Sequence, residues 1–300
     1  MTNAAEKIVA GDVRALARAA SWIENRHPDA EPLLRELFPR TGRALILGVT
    51  GPPGAGKSTL CDRLTKLLRK EGKTVGVIAV DPSSPYSGGA VLGDRIRMQE
   101  HHADPGVFIR SMATRGWLGG LARATTEMTL LLDAAGRDVV LVETVGVGQD
   151  EVEIARLAHV TLVVLTPASG DDVQALKAGI MEIAQVFVIN KSDLPGAEKL
   201  EREIHAAIGL AHGPQPEIVR TVATEGQGVA GVLAAARRAE PRGRDPERAA
   251  AMWAGRLREM LRDRVLDRFP QEMVQQAGRD VAQHRRDPYS ILNEWINWKD

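Results

Sequence analysis

The chain of 300 residues holds a single cysteine, Cys61, so neither an intrachain disulfide nor a cysteine-built zinc site can form within it, a usage that fits a reducing compartment. Net charge is missing as well. Lys and Arg number 39 against 39 Asp and Glu, which leaves no global basic field to draw in nucleic acid or an acidic membrane. No apolar run approaches the length of a membrane span, since stretches such as Val160 to Leu165 have the length of sheet strands. The opening residues, Met1-Thr-Asn-Ala-Ala-Glu-Lys7, lack the apolar segment of a secretory signal. Internal repeats and low-complexity tracts are also lacking. These absences lead us to expect a cytoplasmic protein with no nucleic-acid or membrane partner. The remaining composition, 44% hydrophobic and 26% charged, is that of a folded globular chain, and the length suits about two domains or one α/β domain with extensions.

Three regions follow from the patterning. Residues 1–42 carry Ile8, Val9, Val13, Leu16, Ala17, Ala20 and Ile23 at helical spacing, which predicts an amphipathic helical N-terminal arm. Residues 43–240 hold five short apolar runs, Leu45 to Thr50, Val75 to Val80, Val139 to Val142, Val160 to Leu165 and Val186 to Ile189. Helical patterns separate them, which predicts an α/β fold with a mostly parallel sheet. Ligands of such sheets sit beyond the carboxyl ends of the strands. After a charged, turn-rich break from Pro241 to Pro246, residues 241–300 read as a helical C-terminal extension, with Trp253, Leu257, Met260, Leu261, Val265 and Leu266 at helical spacing. That stripe suits either packing within the chain or a dimerisation surface.

The first apolar run is followed at once by Gly51, Pro52, Pro53, Gly54, Ala55, Gly56, Lys57, Ser58 and Thr59, the spacing of a phosphate-binding P-loop in its strand-loop-helix setting. Glycines let the backbone turn sharply and bring its N–H groups up to phosphate oxygens, beside the positive end of the next helix. Lys57 is placed to reach the β- and γ-phosphates and Ser58 to put its hydroxyl on Mg²⁺.

Asn190-Lys191-Ser192-Asp193 follows the fifth run and addresses the base. A carboxylate at Asp193 accepts from the guanine N1–H and 2-amino groups, whereas adenine has no donor at those positions. Leaving that carboxylate unpaired makes the wrong base costly. Asn190 is expected to brace the neighbouring loops, with the Lys191 stem lying along the base. A third loop, Thr221 with Val222, Ala223 and Thr224, follows Ile218 and Val219 and is suited to offering the Ala223 N–H to guanine O6.

Carboxylates for Mg²⁺ come from Asp81 and Glu143 at strand ends and from Asp94 in Gly93-Asp-Arg-Ile-Arg97, since the ion takes one or two carboxylates with waters and phosphate oxygens. Helix capping by Asp81 and solvation of Asp94 are the plainer readings. Gly146, in Glu143-Thr-Val-Gly146, has a backbone free to approach a γ-phosphate. Lys57, Glu143 and Gln149 are the candidate catalytic residues; no spacing singles out a general base, and none is assigned.

Taken together, the P-loop, Asp81-Pro-Ser-Ser84, Gly88 to Arg95, Arg110 to Gly116, Leu118-Gly-Gly120, Val142 to Gln149 and Asn190 to Asp193 resemble the MeaB/ArgK/MMAA family of G proteins. The resemblance spans nearly the whole chain, including Asp287-Pro-Tyr-Ser290. It implies a P-loop GTPase using GTP/GDP and Mg²⁺, working as a homodimer through its C-terminal extension. It also implies a chaperone of an adenosylcobalamin-dependent acyl-CoA mutase, chiefly methylmalonyl-CoA mutase, that gates cofactor loading and protects or rescues that enzyme. By the same resemblance Asp81, Asp94 and Glu143 belong to the magnesium and switch regions, and Ser169 to Lys177 forms a further switch loop. Asp150 departs from the family pattern, in which a serine is frequent at that place.

Other readings remain open. An isobutyryl-type mutase is the alternative client, and a small-molecule kinase or transport ATPase would predict ATP use instead. A nickel-insertion GTPase would need Cys and His ligands, yet Cys61 stands alone and His101-His102 has no thiol beside it. A solvated helix face is the plainer reading of that pair. Gly116-Trp-Leu-Gly-Gly120 suits either a mobile hinge or an ordinary glycine turn.

Overall fold

Valine-rich runs too short for helices and bounded by polar residues pair side by side in a computed structural model of the chain. It describes residues 3–81, 98–101, 103–113, 120–144, 154, 156–167, 180–209, 215–240 and 246–297. The strands are β1 (Leu45–Thr50), β2 (Val75–Asp81), β3 (Val107–Ala113), β4 (Val139–Glu143), β5 (Val160–Leu165), β6 (Val186–Ile189) and β7 (Glu217–Arg220). They form one sheet in the order β3-β2-β4-β1-β5-β6-β7 with every pairing parallel.

All five expected strands are present. Two more, β3 and β7, are the sheet's edges. Both carry charged residues that hide the apolar signature, and in each case the charge has a partner. Arg110 of β3 donates from Nε to Glu24 Oε1 at 2.6 Å, and Arg220 of β7 pairs with Glu201. An edge strand has one open side, so it tolerates such residues where a central strand would not.

Helices cover both faces. Before the sheet come α1 (Asn3–Val9), α2 (Val13–Glu24) and α3 (Ala30–Leu37). The Asp12 carboxylate starts α2 by accepting from the N–H groups of Arg14 and Ala15 at 2.8 and 3.0 Å, a standard N-cap. Next are α4 (Lys57–Lys70), α5 (Gly120–Ala134), α6 (Ile180–Ile183), α7 (Ala197–Ile208) and α8 (Val229–Ala239).

Strand side chains alternate between faces. Leu47 and Val49 of β1, with Leu162 and Val164 of β5, meet Leu60, Leu64 and Leu68 of α4 and Val232 and Leu233 of α8. On the opposite face Ile46, Ile78, Val140 and Val142 meet Met128, Leu131 and Leu132 of α5 together with Ile8, Leu16, Ile23 and Leu37. The helices of residues 3–37 thus share a core with the sheet. Farther along, Val163, Leu165, Phe187 and Ile189 pack on Leu200 and Ile204 of α7.

The chain divides into two compact units, Met1–Met252 and Trp253–Asp300. The second contains most of α9 (Pro246–Leu266), then α10 (Gln271–Ala282) and α11 (Pro288–Ile296). Within it Phe269 stacks on Trp295 with ring centroids 4.8 Å apart. Leu257, Leu261 and Val265 of α9 are 59%, 65% and 45% exposed, an apolar stripe at i, i+4 and i+8 too exposed to stabilise the unit by itself. Among the described residues no helix is long and apolar enough to cross a membrane.

One carboxylate fixes the entry into the sheet. Asp133 of α5, 6% exposed, accepts from the N–H groups of Gly42, Arg43 at 3.0 Å and Ala44 at 2.9 Å, just before β1. Hydrogen bonds to a buried charge are the strong class. Asp133→Ala is therefore expected to lower unfolding free energy by about 2–3 kcal/mol, read as a reduced urea midpoint at unchanged slope. An unchanged midpoint would show that the segment is held without this carboxylate.

Candidate functional site

Because every strand runs the same way, the loops after β1, β4, β6 and β7 all leave from one edge of the sheet. After Thr50 the backbone turns through Gly51 at φ 138°, Gly54 at 78° and Gly56 at 90° before α4 begins at Lys57. At two of these positions a side chain is excluded twice over. A Cβ on Gly51 would lie 2.0 Å from the Val164 carbonyl oxygen and one on Gly56 2.3 Å from Asn190 Nδ2, while both φ values lie where only glycine is unstrained.

The Lys57 ammonium, 6% exposed, donates to the carbonyls of Gly51 at 2.7 Å and Pro52 at 2.9 Å. It is held across the loop that leads into the helix start, where the helix dipole favours an anion. Ser58 Oγ donates to Glu143 Oε1 at 2.6 Å, both buried. This contact joins the start of α4 to the end of β4 and places two hard oxygen donors side by side, the ligand type that suits Mg²⁺. Beside it Thr144 N–H donates to Val49 O at 3.1 Å, and its hydroxyl lies 3.0 Å from that of Thr50.

Asn190 is the junction of the site. It is 2% exposed, and its Nδ2 donates to Ala55 O at 2.8 Å while Oδ1 accepts from Thr221 Oγ1 and from Ala223 N–H, each at 3.1 Å. One amide thus ties the P-loop, the loop after β6 and the loop after β7 together. Lys191 adopts φ 54° and reaches back to donate from Nζ to Gly54 O at 2.9 Å, so its stem spans from the loop after β6 to the P-loop. Asp193 is exposed. The Ala223 N–H, expected to face guanine O6, is directed here at Asn190 Oδ1.

Several candidate residues lie outside the described ones: Asp94, Gly146, Gln149 and Asp150, the Ser169 to Lys177 loop, His102, and Gly116 to Leu118 with Gly119. Of Asp81 only the backbone is described, at the end of β2.

His101 was expected on a solvated helix face. It is instead 6% exposed, its Nε2 2.9 Å from Asp62 Oδ1 on α4. Lys66 pairs with the same Asp62 at 3.2 Å and with Glu100 at 2.6 Å; the Glu100 carboxylate raises the Lys66 pKa. No group of three or more His, Cys, Asp or Glu among the described residues is arranged to hold a metal ion.

Sequence reasoning passed over Arg63, which donates from α4 to the carbonyls of Ala223 at 3.1 Å and Thr224. In the sequence it is one more arginine on a helix, with no local signal to separate it from a solvated residue.

The chain is similar to known proteins. The profile of the family described as "Methylmalonyl Co-A mutase-associated GTPase MeaB" matches residues 16–274. A relative from Pyrococcus abyssi is 55% identical over 230 residues, covering 75% of this chain and 71% of its own. The GTPase ArgK of Escherichia coli is 47% identical over 187 residues, 61% of this chain and 56% of its own. Among solved structures, one titled as a LAO/AO transport system kinase superposes with a TM-score of 0.72 at 30% identity, covering 98% of this chain and 95% of that one.

Removing the Asn190 amide strands the buried hydrogen-bonding groups it serves. Asn190→Ala is expected to cost about 2–4 kcal/mol of unfolding free energy, measured by urea denaturation. A loss below about 0.5 kcal/mol would mean that the three loops are held by other contacts.

Proposed function

Since the chain belongs to the MeaB family of P-loop GTPases, we propose that it binds GTP with Mg²⁺ and couples hydrolysis to an adenosylcobalamin-dependent acyl-CoA mutase. The client of first choice is methylmalonyl-CoA mutase, after the description of the family. In this reading the protein gates cofactor loading and protects or reactivates the mutase.

The observation that carries the nucleotide part is the Asn190 junction. It sets the Asn190 to Asp193 loop against the P-loop through Ala55 and Gly54, so a nucleotide with its phosphates at Lys57 has its base beside Asp193. The Asp193 carboxylate then accepts from N1–H and the 2-amino group, which only guanine presents together. Val222, Ala223 and Thr224 form the remaining wall. Lys57 neutralises charge on the β- and γ-phosphates.

Ser58 and Glu143 would hold Mg²⁺, with Asp81 and Asp94 as further carboxylates. Their buried 2.6 Å contact and all-oxygen character suit that ion, which would neutralise charge developing on the transferred phosphoryl group. Gln149 is the candidate for orienting the attacking water and Gly146 for sensing the γ-phosphate.

The exposed apolar stripe of Leu257, Leu261 and Val265 supports a homodimer formed through residues 241–300. Exposed apolar patches of this kind commonly mark association surfaces.

Calorimetric titration of wild type and Asp193→Ala with GDP, a non-hydrolysable GTP analogue and an ATP analogue, each with Mg²⁺, tests the base reading. We expect guanine-selective binding that the variant loses by at least about 100-fold; equal or preferential ATP binding would put a kinase first. Glu143→Gln is expected to retain GDP affinity within about tenfold while hydrolysis falls by at least about 100-fold. In sedimentation, Leu257→Glu with Leu261→Glu is expected to shift a dimer to a monomer. Capture of methylmalonyl-CoA mutase, compared with an isobutyryl-type mutase, identifies the client; binding to neither would overturn the chaperone role.

A further inference from the structure

The P-loop helix makes a second connection to the base site that no phosphate-binding motif requires. Arg63, partly buried in the second turn of α4, donates from Nε to the carbonyl of Ala223 at 3.1 Å and from Nη2 to that of Thr224. A guanidinium presents adjacent donors in a rigid planar fork, so it can take two consecutive carbonyls at once. A lysine ammonium is a single point donor on a flexible stem.

The consequence lies in the other edge of those peptides. In a trans peptide the carbonyl and the following N–H point opposite ways. Drawing the Ala223 carbonyl onto α4 therefore turns the Thr224 N–H away from α4. The Ala223 N–H is already directed toward Asn190, at 3.1 Å from Oδ1. The short turn is closed behind them by Glu225 N–H on Val222 O at 3.0 Å and Val222 N–H on Gln227 O at 3.1 Å. A flipped 223–224 peptide would present a carbonyl oxygen to the base, where guanine O6 is itself an acceptor and would be repelled.

We propose that Arg63 is a positioning residue for guanine recognition: by holding the Ala223 and Thr224 carbonyls against α4 it turns the Thr224 N–H outward, to meet O6 of the base. The inference rests on the guanine reading of the site and adds a determinant to it. Asp193 reads the N1–H and 2-amino edge, and Arg63, without touching the nucleotide, sets the edge that reads position 6. Because Arg63 shares α4 with Lys57 and Ser58, the same helix that receives the phosphates also orients the base loop.

The test compares GDP with two analogues, each altered at one position. Inosine diphosphate lacks the 2-amino group, and 6-thioguanosine diphosphate replaces O6 by sulfur, a poor acceptor. Affinities are measured for wild type, Arg63→Gln and Arg63→Lys, with thermal midpoints recorded alongside. In wild type GDP is expected to bind more tightly than either analogue. In Arg63→Gln the preference for GDP over the 6-thio analogue should contract about fivefold, while the preference over inosine diphosphate stays within about twofold. Arg63→Lys, which can engage one carbonyl, should recover part of the lost preference.

An unchanged 6-position preference in Arg63→Gln would overturn the inference. So would an equal weakening of all three ligands, which would make Arg63 a support of the fold alone. Failure of the underlying guanine reading has a different signature: wild type itself would not prefer GDP over inosine diphosphate, and the inference would fall with it.

Discussion

The nucleotide edge of this protein depends on one buried amide. Asn190 donates to Ala55 O and accepts from Thr221 Oγ1 and Ala223 N–H, so loops from three strands share a single set of hydrogen bonds. An amide suits this place because it combines donors and acceptor in one plane without charge. A carboxylate could not donate to Ala55, and an apolar residue would leave buried polar groups unmet at a cost of about 1–3 kcal/mol each. The packing is tight enough that Gly56 must lack a side chain, since a Cβ there would meet Asn190 Nδ2.

The second organising element is α4, which works on every side. Its buried face, Leu60, Leu64 and Leu68, anchors it on the sheet, and its first turn presents Lys57 and Ser58. Its flank carries two adjacent residues with opposite errands: Asp62 holds His101, and Arg63 holds the Ala223 to Thr224 carbonyls. A helix is rigid over this length, so the P-loop end, the loop after β7 and His101 are held in fixed relation through it.

Much of this was legible in the residue order. The five central strands stand out because strands buried on both faces are continuous apolar runs. The P-loop and the Asn190 to Asp193 loop follow such runs with spacings that chemistry constrains tightly. The edge strands β3 and β7 were missed because Arg110, Glu217 and Arg220 break the pattern; their partners, Glu24, Arg238 and Glu201, are remote in sequence. His101 was misplaced for a similar reason. Nothing near it in the chain announces Asp62, 39 residues earlier, as its partner.

Local order by itself determined the class of sheet and the phosphate loop, because strand period and glycine conformation act over a few neighbouring residues. Tertiary structure alone decided that helices of residues 3–37 join the core of the sheet, that Asp133 grips the entry to β1, and that Arg63 reaches the loop after β7. Each is a contact between residues far apart in the chain. Its energy depends on a distance and an orientation in space, and these exist only once the strands have paired and the helices have packed upon them.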